Sequence, residues 1–254
     1  SGCGMPYYIG GAVEDAGALT PRDPAYFKTR YNVEVKILHK VLAIRPGEKS
    51  LEVKDLRTGA VFSDTYDKLI IATGARAVVP PIKGARQDHV FTLRTIDDMN
   101  RIKSFLEQKK PKSAAIVGSG FVGLEVCENL TRLGVSVTLV ERLPQVTPGL
   151  DEDMAVYVKD EIEKRSVPVF LSATAAEITE DAVLLEDGTV IPAELVLLST
   201  GVRPNTELAE AAGVALGDSG AIRVDNKMRT NLPDIYACGD CVEQFHLVTG
   251  KPVY

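Results

Sequence analysis

What this 254-residue sequence has little of narrows its function before any motif is considered. It holds four cysteines, Cys3, Cys127, Cys238 and Cys241, too few and too unevenly spaced for a disulfide-stapled scaffold or a four-ligand zinc site. Thiols used so sparingly fit a reducing cytoplasm. No apolar run approaches the ~18 residues that span a bilayer, so no membrane is expected as a partner. Positive charge is in deficit, and a net charge of −6 gives nucleic acid no electrostatic hold. No signal-peptide pattern, internal repeat or low-complexity tract stands out. With 45% hydrophobic and 25% charged residues, the chain reads as a globular protein long enough for two modest domains.

What is present is organised around residues 112–141, KSAAIVGSGFVGLEVCENLTRLGVSVTLVE. An apolar run, Ala114 to Val117, enters Gly118-Ser119-Gly120-Phe121-Val122-Gly123, and a helix-period segment leads to a second β-branched run, Val135 to Val140. In a dinucleotide site Gly118 allows the tight turn, Gly120 lets the backbone approach a pyrophosphate, and Gly123 lets helix pack on strand. The helix N-terminus offers unpaired N–H groups and partial positive charge to the phosphates. Glu141 closes the second strand 18 residues after Gly123, where a carboxylate accepts hydrogen bonds from a ribose 2′-OH. That acid favours NADH, because it repels a 2′-phosphate. Arg142 weakens the preference, since its guanidinium can turn toward such a phosphate. Cys127, inside the helix, reads as a small packing residue.

Around this stretch the pattern is mixed. Cys3 sits among Gly2, Gly4, Gly10 and Gly11; residue types alone favour a chance thiol in a flexible start over a redox cysteine against a flat ligand. Asp23 to Tyr31 forms a short helix, with Asp23 as cap and Pro24 in the first turn. Its Lys28 and Arg30 are either a solvated face or contacts for substrate phosphates. Val33–Ile37, Val41–Ile44, Leu51–Lys54 and Val61–Phe62 alternate as a β-meander, with turns at Pro46-Gly47 and Thr58-Gly59. An apolar strand then ends in Thr73-Gly74. An amphipathic helix from Ile96 to Gln108 is ended by charge and a proline over Lys109 to Lys112, where the entry to the dinucleotide domain is placed. Beyond Glu141 come a helix over residues 151–165 and strands at Val167–Leu171, Ala182–Leu185, Val190–Ile191 and Ala193–Thr200. The acids Asp151, Glu152 and Asp153 complement the helix dipole better than they suit a metal, and no metal site is expected. Thr200-Gly201 repeats the strand-then-Thr-Gly ending, which suggests two crossings between domains. Ile235–Cys238 is a short buried strand running into Gly239-Asp240, whose carboxylate either accepts from a bound polyol or caps a helix. Cys238 and Cys241 have the spacing of a redox dithiol, but Cys238 is expected to face the core.

These pieces resemble the pyridine nucleotide-disulfide oxidoreductases with a single redox cysteine, a group that includes coenzyme A-disulfide reductases, NADH oxidases and peroxidases, and persulfide reductases. The resemblance runs in order through Cys3-Gly4-Met5-Pro6-Tyr7-Tyr8-Ile9-Gly10-Gly11, residues 66–74, the glycine fingerprint, Gly201-Val202-Arg203-Pro204-Asn205, and Thr230 through Asp240. It reverses the reading of Cys3. It implies a cysteine at the start of a helix beside a flavin ring, where the dipole favours thiolate. It also implies that Gly239 and Asp240 contact FAD, that Gly118, Gly120, Gly123 and Glu141 hold NAD(P)H, NADH favoured, and that Thr73 and Gly74 line the hinge between two nucleotide domains.

The implied fold is α/β: two Rossmann-like (βαβ) nucleotide-binding domains, each with a β-meander insertion. Residues 1–110 are expected to begin the FAD domain, without its N-terminal βαβ unit, residues 111–229 to form the NAD(P)H domain, and residues 230–254 to return to the FAD domain. Relatives of this look begin about forty residues ahead of the cysteine and end in a dimer-forming domain. The chain therefore reads as the middle of a longer homodimeric enzyme, and by itself it is expected to bind FAD poorly. The implied activity passes electrons from NAD(P)H through FAD to a disulfide or persulfide at Cys3, with a coenzyme A-type thiol or disulfide as substrate. A water-forming NADH oxidase or an NADH peroxidase is the alternative, with oxygen or peroxide as acceptor. A non-catalytic NADH-binding redox sensor is the rival from another class.

Overall fold

A computed structural model describes residues 2–254. The chain forms two compact units: residues 1–21 with 77–202, and residues 22–76 with 203–254.

The first unit is built on a five-stranded parallel sheet in the order Val90–Phe91, Leu195–Leu198, Ser113–Val117, Ser136–Val140, Val169–Phe170. Period-two alternation divides each strand between two cores. Ala114, Ile116, Leu195 and Leu197 share one with Val126 and Leu130 of the helix Phe121–Arg132 and with Met99 and Ile102 of the helix Ile96–Lys109. Ala115, Val117, Val196 and Leu198 share the other with Ile178, Val183 and Ile191. Helices therefore cover one face of the sheet. An antiparallel meander, Ala175–Ile178, Ala182–Leu185 and Val190–Pro192, covers the other. Continuous burial of both faces explains why these strands read as apolar runs. The helix Ile96–Lys109 starts on a capping box, in which the Thr95 hydroxyl accepts from Asp98 N at 3.1 Å and the Asp98 carboxylate accepts from Thr95 N at 2.9 Å.

Val90–Phe91 pairs with Leu195–Leu198, while Met99, Ile102 and the N-terminal Met5 and Ile9 bury in the same core as Ile116. Residues 2–21 and 77–110 pack with the fingerprint segment, and residues 203–229 lie in the second unit. Sequence showed the helix but not the sheet whose face it covers.

The second unit holds the meander His39–Arg45, Ser50–Asp55 and Val61–Thr65, a parallel pair Leu69–Ile71 and Ile235–Ala237, and a small sheet from Ile222–Arg223, Val242–Phe245 and Pro252–Val253. Ile71, Ile222, Ile235 and Ala237 centre its core. One expected strand is absent. Val33–Ile37 alternates as a strand should, yet it forms no ladder and Val33, Val35 and Ile37 stay exposed; its link to the strand Val61–Thr65 is by side chain, with Lys36 donating to Asp64 at 2.9 Å. No helix among the described residues is long and apolar enough to cross a membrane.

Candidate functional site

The sheet order of the first unit reverses direction between Ser113–Val117 and Leu195–Leu198, and ligands of open α/β sheets bind in the crevice at the carboxyl ends of such a pair. The glycine fingerprint lies there. Gly118 leaves the strand with φ +102°, and a Cβ on it would lie 2.2 Å from the carbonyl oxygen of Ser199 on the neighbouring strand's exit. Gly123 lies in the first turn of the helix Phe121–Arg132, where a Cβ would lie 2.3 Å from the Gly118 carbonyl oxygen. Gly120 differs from both: nothing lies within 4 Å of the position its Cβ would take. It is also the helix N-cap, and it offers no side chain to the first N–H groups. The helix therefore opens onto empty space through bare backbone, the arrangement that receives a pyrophosphate. Phe121 is 69% exposed and Val122 is exposed beside it, apolar groups at the same mouth. Gly201 closes the other side of the crevice, its carbonyl accepting from Val78 N at 2.9 Å.

Glu141 ends the second strand as expected, but its side chain turns inward and is 7% exposed. Its Oε2 accepts from Ser119 N at 2.9 Å and from the Ser119 hydroxyl at 2.8 Å, while Oε1 accepts from Leu143 N at 2.9 Å. The Ser119 carbonyl in turn accepts from Thr147 N at 3.1 Å, so Glu141 and Thr147 hold the middle of the fingerprint turn between them. The Thr147 hydroxyl is buried and has no hydrogen-bond partner among the described residues. Arg142 is exposed next to Glu141. Ser119 and Thr147 were missed by the sequence reading; a serine between two fingerprint glycines, within reach of the acid that ends the next strand, was the available signal.

Cys3 lies in the same unit, exposed, in a 3₁₀ turn Gly2–Gly4 that runs directly into the helix Met5–Ile9. That short helix is anchored by buried Met5 and Ile9. Cys127 is a packing thiol, as expected, and burial pushes its pKa up to about 11.

The other expected residues belong to the second unit. Its parallel pair, Leu69–Ile71 with Ile235–Ala237, brings Thr73-Gly74 and Gly239-Asp240 to the same carboxyl end, where Thr73, Gly239 and Asp240 are exposed. Asn205 fastens this corner: its N–H donates to the Gly74 carbonyl at 2.9 Å, its Nδ2 to the Thr73 carbonyl at 2.9 Å, and its carbonyl accepts from the Thr73 hydroxyl at 2.6 Å. Arg76 donates to the Asn205 Oδ1 at 3.0 Å. Asn205 stood in the quoted motif, but nothing in its residue type revealed this role. Lys28 and Arg30 lie on the helix Pro24–Tyr31, and Lys28 is engaged locally, donating to Asn32 Oδ1 at 2.8 Å. The Cys238–Cys241 pair is not a disulfide. Cys241, rather than Cys238, is the fully buried member, and its thiol points to the Cys238 carbonyl at 3.2 Å. Among the described residues no acidic, cysteine or histidine cluster suits a metal ion.

Residues 1–251 match the family model described as pyridine nucleotide-disulphide oxidoreductase. The chain is 35% identical over 240 residues to a coenzyme A disulfide reductase of Staphylococcus haemolyticus, covering 94% of this chain and 54% of that protein. It is 38% identical over 256 residues to an NADH oxidase of Methanocaldococcus jannaschii, covering 99% and 56%. A solved NAD-dependent persulfide reductase from A. fulgidus superposes with a TM-score of 0.93 at 39% identity, covering 99% of this chain and 48% of that one. The chain thus spans about half the length of the relatives it matches.

Proposed function

Because the chain belongs to the pyridine nucleotide-disulphide oxidoreductase family, whose cofactors are FAD and a nicotinamide dinucleotide, we propose that it is the central part of a flavoprotein that reduces a disulfide or persulfide at Cys3. The observation that carries the reading is the fingerprint turn. A Cβ on Gly118 or Gly123 would collide with a backbone carbonyl, whereas Gly120, alone of the three, opens onto free space at a helix N-terminus.

When bound, the nicotinamide supplies a hydride and the flavin relays the electron pair to sulfur. Within this chain, Gly118 to Gly123 hold the dinucleotide's pyrophosphate by backbone N–H groups. Gly201 bounds the crevice. Thr73, Gly74, Gly239 and Asp240 supply part of the flavin site, with the Asp240 carboxylate suited to accept from ribityl hydroxyls. Cys3, exposed at a helix start, is the sulfur nucleophile. Its Sγ attacks one sulfur of the substrate disulfide, that S–S bond breaks, and one thiol leaves. Two electrons and a proton, which the bound flavin would supply, would reopen the resulting mixed disulfide, releasing the second thiol and restoring the Cys3 thiolate. A coenzyme A-type disulfide is the substrate that the similarity to coenzyme A disulfide reductases favours, and Lys28 and Arg30 are the candidate contacts for its phosphates. The assembly we propose for the whole protein is a homodimer.

A second reading is an oxidase or peroxidase, in which oxygen or peroxide takes the electrons; the similarity to an NADH oxidase favours it. The test is NAD(P)H consumption by the FAD-loaded whole protein with coenzyme A disulfide, peroxide and oxygen in parallel. Disulfide turnover that vanishes in Cys3→Ser supports the first reading. Full disulfide turnover in that variant refutes it, and consumption with oxygen alone selects the second.

A further inference from the structure

The sequence pattern gives Glu141 the task of accepting from the nucleotide's ribose 2′-OH, a task that requires a carboxylate facing the crevice. The structure gives that carboxylate other partners. Three donors, Ser119 N, Ser119 Oγ and Leu143 N, occupy three of its roughly four acceptor positions, and the fourth lies on an oxygen of a side chain only 7% exposed. Glutamate is long enough to fold back onto the fingerprint turn, and the hydroxyl of Ser119 holds it there at 2.8 Å.

Arg142 is left in front. It is the sole cation in residues 118–124 and 141–150, it is exposed, and it has no ion-pair partner among the described residues. The bond from Leu143 N to Glu141 Oε1 fixes the turn on which it sits. A guanidinium so placed matches a phosphate by its paired N–H groups, whereas it gives a ribose hydroxyl no comparable hold. We propose that Ser119 acts as a positioning residue that withdraws Glu141 from the ribose, so that Arg142 selects at the 2′ position and the site prefers 2′-phosphorylated adenine nucleotides, the NADPH class. The inference rests on the dinucleotide reading of the fingerprint and replaces the expected preference for NADH.

The test is calorimetric titration of the chain with 5′-AMP and 2′,5′-ADP, probes that differ only at the selecting position. The expected result is 2′,5′-ADP bound about five-fold or more tightly than 5′-AMP at low salt, the advantage shrinking as salt rises. Arg142→Ala should bring the ratio close to one. Ser119→Ala should lower the ratio by freeing the carboxylate, a shift that simple loosening of the turn does not produce, since loosening weakens both probes alike. Tighter binding of 5′-AMP by the unaltered chain, or a ratio unmoved by Arg142→Ala, overturns the proposal while leaving the dinucleotide site intact. Binding of neither probe to the folded chain overturns both.

Discussion

Gly123 lies against Gly118 so closely that a Cβ on Gly123 would sit 2.3 Å from the Gly118 carbonyl oxygen. The obstacle is backbone, held by the bond from Gly118 N to the Val140 carbonyl at 2.8 Å, and it has no rotamer by which to withdraw. Gly123→Ala should therefore force the helix off the sheet and destabilise the first unit by about 1–3 kcal/mol, the usual range for overpacking. Urea melts of the two proteins check this; identical midpoints would mean that helix and strand are not in such contact.

Gly120→Ala separates stability from function. Its Cβ meets nothing, and alanine at an N-cap costs a fraction of what a backbone collision costs. The melting temperature should change by no more than a few degrees while dinucleotide affinity falls about ten-fold or more, because the methyl occupies the approach of the pyrophosphate. Titration with NADPH beside a thermal melt reads both. Unchanged affinity would place the phosphates elsewhere.

The Cys127 thiol gives a pH dependence of stability. Burial raises its folded pKa to about 11, above the unfolded value of about 8.5, so its contribution is fully present below pH 8.5 and is lost as pH rises through 11. The loss is of the order of 2–3 kcal/mol. Urea midpoints should drop more between pH 8.5 and 11 for the unaltered chain than for Cys127→Ala. Parallel curves would contradict a neutral buried thiol.

Asn205→Ala removes two side-chain bonds, to the Thr73 carbonyl and from Arg76, and leaves the first of these groups without its donor. The second unit should lose about 1–2 kcal/mol, and amide exchange at Asn205 and its neighbours should quicken. Exchange rates unaltered at Arg203, Asn205 and Thr206 would show the corner to be held by other contacts.

Much of this was legible in residue types, for identifiable reasons. Ala114–Val117 and most of Val135–Val140 are buried and so read as apolar runs, and two of the glycines between them, Gly118 and Gly123, are dictated by backbone collisions that a Cβ would cause. The strand over Val33–Ile37 failed because alternation describes a strand's faces and not its neighbour. The helix Ile96–Lys109 announces an apolar stripe, Met99 and Ile102, without naming the sheet that receives it. Glu141 was placed correctly in the chain, but its direction is set by Ser119 and Leu143, and side-chain direction is a tertiary fact. Asn205 belongs to the same class: an ordinary polar residue whose bonds reach Thr73, 132 residues away.

The most direct measurement of the central claim is the absorption spectrum of the whole protein carrying FAD, titrated anaerobically with NADPH. With Cys3 first converted to its mixed disulfide by coenzyme A disulfide, electron delivery to that sulfur predicts a long-wavelength absorbance as the disulfide opens to a thiolate beside the oxidised ring, appearing with the first equivalent and missing in Cys3→Ser. The same absorbance in that variant, or bleaching of the flavin with no such band in the unaltered protein, would contradict it.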